Sequence, residues 1–226
     1  MIQIFAGYDP AEAAGYHTFC HSVLSRASEP VSITPIARNT FAWWKRQGEN
    51  DGATEFSFAR FLIPYLNGYR GHAIFMDGAD MLCLGDVAEL WAMRSHRHAV
   101  QCVQHAPYEV LPTKMWNQAN RQYPRKNWSS VMILNCEYHH AHKLTLETVA
   151  TAPGSYLHQF DWTTEDRIGT LPPEWNVLVG HHETAGAKLL HFTNGLPDVH
   201  PSDIVADALW RCERAAMNHV KPLETA

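Results

Sequence analysis

The segment AIFMDGADML contains the side chains with the clearest potential for chemistry. Residues 73–76 form an apolar run that predicts a strand, and Asp77 and Asp80 follow it directly. In α/β proteins the carboxyl edge of the sheet is where ligands bind, so these acids are placed for binding. Two carboxylates this close repel unless a cation or hydrogen bonds hold them, and Mg²⁺ or Mn²⁺ prefers oxygen ligands and bridges carboxylates to phosphates. The segment therefore predicts either a metal–phosphate site or a structural turn.

Histidines and aromatic residues give weaker signals. The runs around His139 and His181 could bind a metal, but adjacent histidines do not share one helix face, and solvated loops are the alternative. The pair Trp43 and Trp44 predicts either a stacking platform or a packed aromatic pair. Dinucleotide, P-loop, serine-hydrolase and zincin motifs are absent from the sequence. The five cysteines form no CxxC pair and indicate buried or free thiols.

Composition indicates a folded protein and limits its partners. The 226 residues are 46% hydrophobic and 18% charged, which is enough apolar material for a core and excludes a disordered or fibrous chain. The net charge of −5 argues against nucleic acid as a partner, although protonation of half of the 15 histidines would reverse its sign. The apolar stretches are too short to span a bilayer, and the start lacks a signal-peptide pattern. We expect a cytoplasmic protein, with a peripheral position at the inner face of a membrane left open.

The elements that must position these residues alternate between strand and helix. Such an alternation predicts an α/β fold. The predicted strands cover residues 2–6, 31–36, 73–76, 99–103, 131–134 and 188–192. The predicted helices cover residues 11–24, 54–65, 86–93, 144–152 and 203–217.

The chain reads as one domain over residues 1–226. It contains no internal repeat and no interdomain linker. Residues 105–127 lose all periodicity, which predicts an irregular insertion or lid before the next strand. A C-terminal helix at about 203–217 carries Asp203, Asp207 and Glu213, and these charges favour ordinary packing over contact with a membrane.

The order of the motifs resembles glycosyltransferase family 8. The succession GYD, TEFSFARFLIPYL, AIFMDGAD, SSVMILN, LPPEWN and LLHFTNG extends over roughly residues 2–196. The resemblance lies in spaced motifs rather than in dense identity. It implies a GT-A (Rossmann-like) fold with a mixed, mainly parallel sheet flanked by helices, and transfer of a sugar from a nucleoside diphosphate donor.

The resemblance implies nucleotide contacts from several positions. Tyr8 and Asp9 match the positions that hold uracil, with an Asx-type turn and a packed ring as the alternative. Arg60 matches a diphosphate-binding arginine, a role that suits a guanidinium fork, with a surface salt bridge as the alternative. The full nucleotide-binding set is Tyr8, Asp9, Arg60, Asp77, Gly78 and Lys188.

The metal site that the resemblance implies is a DxD motif with a distant histidine. Asp77 matches the first acid and His191 the histidine, so Mn²⁺ or Mg²⁺ is the expected cofactor. The second acid is replaced by Ala79, with Asp80 one position later. Strand alternation would turn Asp80 away from Asp77, so either a turn brings Asp80 in or metal binding weakens. The family's Lys-Pro-Trp ending is absent, and the candidate replacement cations are Lys188 or the pair Arg125 and Lys126.

The predicted reaction transfers a sugar, with retention, from a UDP-sugar to a hydroxyl of a glycan or a lipid-linked acceptor. Asp166, and then Asp161, are the candidate catalytic carboxylates, with solvated loop acids as the alternative. Four residues of the insertion form the candidate acceptor surface: Tyr108, Trp116, Tyr123 and Arg125.

Three rival functions remain at this point. A degenerate, non-catalytic nucleotide-binding domain is favoured by Ala79. A sugar nucleotidyltransferase needs a basic, glycine-rich loop that AGYDPAEAAGYH does not provide. A histidine-rich metal-binding protein is disfavoured because the histidines are scattered.

Overall fold

The structure is a computed structural model that describes residues 1–37, 41, 43–47, 54, 56–110, 112–114, 118–119 and 122–219. The strands within these ranges are β1 Ile2–Gly7, β2 Val31–Ile36, β3 His72–Met76, β4 Met81–Cys83, β5 Val100–Cys102, β6 Thr113–Lys114, β7 Gln118–Ala119, β8 Val131–Asn135, β9 Ile168–Thr170, β10 Val177–Leu178 and β11 Leu189–His191. The α-helices there are α1 Ala13–Leu24, α2 Ile63–Leu66, α3 Val87–Ala92, α4 Leu146–Thr151, α5 Gly154–His158 and α6 Ile204–Met217.

The main sheet has six strands in the order β2-β1-β3-β8-β5-β9. Three of its five neighbouring strand pairs are parallel, namely β1–β2, β1–β3 and β5–β9. β8 runs antiparallel to both β3 and β5, so the other five strands share one direction. A smaller sheet has the order β10-β11-β4, and β6 pairs with β7 as a third. The predicted α/β fold with a mixed, mainly parallel sheet is confirmed.

Central strands of this sheet are buried on both faces, which explains their apolar sequences. All five residues of β8 are buried, and so are four of the five residues of β3. Sheets covered on both sides favour continuous apolar strands over alternating ones. Each large side chain buried in this way stabilises the fold by roughly 1.5–3 kcal/mol. The strands can therefore hold charged groups rigidly at their ends.

The helix predicted over residues 54–65 is wrong as a single element. The described residues form a turn at 56–58, a 3₁₀-helix at Ala59–Leu62 and then the short α2. Pro64 lies in the first turn of α2, where its missing N–H costs little, whereas inside a longer helix it would clash with the preceding turn. The Nε of Arg60 also donates to the Ser57 carbonyl at 3.1 Å. The side chain thus competes with backbone N–H groups for this carbonyl oxygen.

α6 packs against α1 through a buried charge cluster. The Asp203 side chain caps α6 by accepting from the backbone N–H groups of Val205 and Ala206. Glu213 bonds Arg26 at 2.7 Å and His21 at 2.6 Å, and both Glu213 and Asp207 are buried. These acids do pack internally, as predicted. Of the helices in the described residues, none combines the length and the apolarity that a bilayer span requires.

The insertion at 105–127 is largely irregular where it is described. It contains the two-residue strands β6 and β7, which form a small antiparallel pair. Trp116, one of the expected acceptor-surface residues, lies outside the described residues.

Candidate metal and nucleotide site

A sharp turn follows β3 and carries both acids of the AIFMDGAD segment. The Asp77 N–H donates to the Ser130 carbonyl at 2.9 Å, which ties the end of β3 to the start of β8. Gly78 has a φ of +71°, a left-handed conformation that glycine adopts without strain. The Ala79 N–H then bonds the Asp77 carbonyl at 2.7 Å, and the chain turns into β4. The abrupt end of the apolar run is therefore a tight, hydrogen-bonded corner.

This corner breaks the strand alternation expected for Asp77, Ala79 and Asp80. Ala79 is completely buried, and it packs so closely on α1 that a Cβ on Gly15 would lie 2.0 Å from the Ala79 carbonyl oxygen. Asp77 and Asp80 instead keep side-chain exposures of 13% and 18%. The turn thus points the alanine into the protein and brings the two carboxylates together.

His191 joins the carboxylates because β11 pairs with β4. The two strands are antiparallel, with His191 opposite Met81, the residue after Asp80. The His191 Nε2 atom lies 3.3 Å from Asp80 Oδ2 and 3.8 Å from Asp77 Oδ2. Asp77 and His191, 114 positions apart, therefore meet at one site, as the sequence predicted.

Asn176 fixes the orientation of the His191 ring. Its Oδ1 lies 3.0 Å from His191 Nδ1, and its Nδ2 donates to Ser130 Oγ at 2.9 Å and to the Asn127 carbonyl at 3.2 Å. The two acceptors on Nδ2 assign the amide orientation, so Nδ1 of the histidine must be the donor. Because that nitrogen carries the proton, the lone pair of neutral His191 lies on Nε2, facing the carboxylates.

Arg60 holds Asp77 from the protein side. Its Nη1 lies 2.5 Å from Asp77 Oδ1 and 2.8 Å from the Ser129 carbonyl, and its guanidinium lies over the Phe75 ring. Both side chains of the pair are mostly buried. Arg60 does form a salt bridge, as the alternative predicted, but the pair is buried rather than at the surface, and Arg60 reaches this site through the carboxylate that it orients.

The charges around His191 act on its protonation in opposite directions. Burial lowers the pKa of His191, but the carboxylates of Asp80 and Asp77 together raise it by more, and the net direction is upward. The imidazole thus behaves as a partner for negative charge when no cation is bound.

The three side chains fit a divalent metal ion. Among the residues that the structure describes, Asp77, Asp80 and His191 are the group whose ligand atoms all lie within 4.8 Å of one another. Two carboxylates and one imidazole suit Mg²⁺ or Mn²⁺, and three protein ligands leave coordination positions for water and phosphate oxygens. Asp80 therefore supplies the second carboxylate of the group, although Ala79 stands at the second acidic position of the DxD motif.

Tyr8 and Asp9 lie at the same edge of the sheet, directly after β1. Asp9 Oδ1 accepts from the Ala11 N–H at 3.0 Å, and the Tyr8 ring packs edge-on against Tyr16 at 5.1 Å. The Asx-type turn and the packed ring are therefore present. Contact of Tyr8 and Asp9 with uracil stays a prediction.

Three predicted site residues do not join Asp77, Asp80 and His191, which together we call the metal group. Asp166 is exposed, pairs with Arg167, and precedes β9, so it lies at the amino edge of the sheet, opposite the edge where Asp77 follows β3. Asp166 therefore lies away from Asp77, and its place beside the donor sugar stays a prediction. Asp161 is exposed after α5. Lys188 pairs with Glu89 at 2.5 Å, so this cation is engaged away from Asp77.

Part of the insertion does reach the site. Burial raises the pKa of Tyr123, with Arg60 lowering it and Asp77 raising it, so this ring lies within the field of the Arg60–Asp77 pair. Asn127 has a φ of +62° and donates from Nδ2 to the Tyr108 hydroxyl at 2.7 Å. Arg125 pairs instead with Glu165. No role is predicted from the sequence for Asn127 or Asn176, and the LPPEWN motif is the signal that could have pointed to Asn176.

Comparison with known proteins places the chain in a family. No model of a known protein family matches it. Protein CDI of Arabidopsis thaliana is 40% identical over 205 residues, which cover 86% of this chain and 78% of the relative. The chain belongs to the Protein CDI family. That name specifies no reaction, so the chemistry of this family member is argued from its fold and its site.

Solved structures that share the fold are glycosyltransferases. The bifunctional glycosyltransferase WbbM is 15% identical with a TM-score of 0.61, and the match covers 95% of this chain and 49% of WbbM. GlyE of Streptococcus pneumoniae is 11% identical with a TM-score of 0.62, covering 96% and 63%. The galactosyltransferase LgtC, solved with donor and acceptor sugar analogs, is 11% identical with a TM-score of 0.58, covering 97% and 98%. The chain thus spans about half of WbbM and less than two thirds of GlyE. The likeness establishes a GT-A-like fold, and membership of family 8 stays a prediction.

Proposed function

We propose that this protein is a metal-dependent glycosyltransferase that moves a sugar from a UDP-sugar to an acceptor hydroxyl. The observation that carries the proposal is the meeting of Asp77, Asp80 and His191 at the carboxyl edge of a GT-A-like sheet. The glycosyltransferase neighbours support the same class of reaction. The UDP donor and retention of configuration are carried over from the resemblance of the motifs to family 8.

In this proposal the donor diphosphate lies against the Asp77 corner. A bound Mn²⁺ or Mg²⁺ would neutralise the charge that develops on the departing diphosphate. Arg60 pairs with Asp77 and orients it, and Asn176 presents His191 Nε2 to the same point. Tyr8 and Asp9, which follow the neighbouring strand, are the proposed uracil contacts. Gly78, whose left-handed conformation forms the corner, is the proposed backbone contact to the phosphates.

The transfer breaks one bond and forms another at the anomeric carbon. The C1–O bond to the diphosphate breaks and its electron pair leaves with the diphosphate, while an acceptor oxygen bonds C1 and gives up its proton. The sugar ring acquires oxocarbenium character on the way. The proposed retention is tested by the anomer of the first-formed product, read by NMR.

The insertion is the proposed cover of this reaction. Tyr123 lies in the field of Asp77, and Asn127 links the segment to the Asn176–His191 contact. A segment held in this way would exclude water from the sugar and so limit wasteful hydrolysis of the donor.

A thermal-shift screen tests the function directly. UDP is expected to raise the melting temperature, and Mn²⁺ to enlarge the increase, with GDP and chelated samples as controls. Slow hydrolysis of a UDP-sugar without acceptor would separate an active transferase from a domain that only binds nucleotide. The absence of any stabilisation by UDP with Mn²⁺ would contradict the proposal.

A further inference from the structure

A cleft of about 630 Å³ lies beside the metal group. It runs between residues 103–106, which follow β5, and residues 173–188, which lead into β11. This volume falls in the range of roughly 300–1,000 Å³ that is typical of ligand-binding clefts. The cleft is therefore large enough to hold one or two sugar rings.

The cleft adjoins the site through one of its walls. Val177 lines it, pairs with Leu190 in the small sheet, and follows Asn176, the residue that bonds His191. His105 lines the cleft as well; burial and His182 lower the pKa of this ring, and the nearby His191 acts in the same direction. A ligand in the cleft thus ends next to the metal group.

Two imidazoles, His105 and His182, line the cleft side by side. The rings of His105 and His182 have centroids 5.3 Å apart, and His105 is 9% exposed. Burial lowers the pKa of His105 to about 3, with His182 and His191 acting in the same direction, and burial also lowers the pKa of His182. Both rings are therefore neutral near pH 7, and a neutral imidazole offers one donor and one acceptor to a hydroxyl.

The charged side chains that line the cleft are negative in sum. Two acids line it, Glu174 and Glu183, against one cation, Lys188, which is paired with Glu89. A phosphate or carboxylate entering the cleft would meet more negative than positive charge. Apolar walls at Val103, Pro173 and Val177 complete a lining that suits an uncharged ligand.

We propose that this cleft binds the acceptor as a neutral, hydroxyl-rich saccharide and disfavours acceptors that carry phosphate or carboxylate near the reacting hydroxyl. This inference rests on the proposed function and narrows it. A sugar attached directly to a lipid pyrophosphate is then a poor acceptor, and a neutral glycan end is a good one.

The experiment uses the full chain saturated with UDP and Mn²⁺. Lactose and maltose serve as neutral probes, and glucuronic acid and glucose 6-phosphate as charged ones, with affinity measured by ligand-observed NMR titration. We expect the neutral disaccharides to bind better, and His182→Ala to weaken them about fivefold, the effect of one lost hydrogen bond. His139→Ala, which changes an exposed histidine in the turn after β8, is the matched control and should have no effect.

A second pair of changes tests the charge argument. The double variant Glu174→Gln/Glu183→Gln is expected to improve binding of glucuronic acid severalfold and to leave the UDP-induced thermal shift unchanged. If UDP stabilises the protein but charged probes bind as well as neutral ones, or neutral probes do not bind, or His182→Ala has no effect on them, the inference is overturned. Failure of UDP itself to bind would overturn the proposed function, which is a separate result.

Discussion

The guanidinium of Arg60 lies 2.5 Å from Asp77 Oδ1, and this ion pair is mostly buried beneath the metal group. The contact orients the Asp77 carboxylate through Oδ1, while the other oxygen, Oδ2, faces His191. The same arginine also donates to the Ser129 carbonyl and packs on the Phe75 ring, so its position is fixed. The ion pair therefore fixes the orientation of the Asp77 carboxylate in the site.

Arg60→Gln should destabilise the fold by about 3–5 kcal/mol, because it leaves the buried Asp77 carboxylate without its cation. Urea unfolding at pH 7 measures this change in the free energy of unfolding. The double variant Arg60→Gln/Asp77→Asn is the control and should recover part of the loss. A single Arg60→Gln variant as stable as the unchanged protein would show that the pair has no such role.

Asp80→Asn should weaken Mn²⁺ binding by at least about tenfold, since it removes one of two carboxylate ligands and leaves the fold intact. Calorimetric titration with Mn²⁺ measures this affinity. Glu89→Gln removes an exposed carboxylate that pairs with Lys188 and is the matched control. Equal Mn²⁺ affinity in Asp80→Asn and the unchanged protein would exclude Asp80 from the metal group.

Asn176→Leu should weaken Mn²⁺ binding by about 10–100-fold, because the His191 ring loses the acceptor that fixes its tautomer and orientation. NMR of the imidazole nitrogens reports the tautomer independently of activity. Asn176→Asp keeps an acceptor at the same position and should retain more of the affinity than Asn176→Leu. The reverse order would argue against this orienting role.

Ala79→Asp creates the DxD spacing of glycosyltransferase family 8, yet it should destabilise the protein by several kcal/mol rather than strengthen metal binding. The reason is that Ala79 is fully buried against Gly15, so the new carboxylate would be buried without a partner. Thermal unfolding measures the loss, and Ala208→Asp, on the exposed face of α6, is the control. A stable Ala79→Asp variant with tighter Mn²⁺ binding would refute the geometry of the turn.

His158 should make stability fall in mild acid. Its Nδ1 lies 2.8 Å from Ser129 Oγ, and its ring packs between Phe58 and Phe61. Burial lowers the pKa of His158 to about 3, with Arg60 and Arg46 acting in the same direction. The unfolded chain takes up a proton near pH 6.5 and the folded chain does not, so stability is lost as the pH falls below about 6.5, by at most about 1.4 kcal/mol per pH unit.

His158→Asn removes this titration, so its stability relative to the unchanged protein should improve by about 1–2 kcal/mol between pH 7.5 and pH 5. Urea unfolding at several pH values gives the difference. His139→Asn, at an exposed site, should leave the pH slope as it is. Parallel pH profiles for His158→Asn and the unchanged protein would contradict the expected shift.

Local sequence patterns predicted much of the sheet but less of the site. The apolar runs before Asp77 and Asp80 and around His191 were enough to predict strands, and the ordered motifs paired Asp77 with His191 across the chain. Alternation could not predict the direction of Asp80, because the left-handed Gly78 and the contact of Ala79 with α1 decide it. Such contacts between distant segments leave no periodic trace in the sequence.

Charged residues were the least predictable, because their partners are chosen by tertiary packing. Lys188 was expected near a diphosphate and pairs with Glu89, and Asp166 lies at the opposite edge of the sheet beside Arg167. Asn176 could be found from the sequence only as part of the LPPEWN motif. Its role depends on one hydrogen bond to His191, which only the folded chain brings into range.

The reversed direction of β8 determines which loops can alter the chemistry. Because this strand runs against its neighbours, the residues that precede it, Asn127 to Ser130, arrive at the same edge as the residues that follow β3. Changes in the length or sequence of the connection upstream of β8 can therefore reshape what the site binds, without moving any strand that supports the carboxylates.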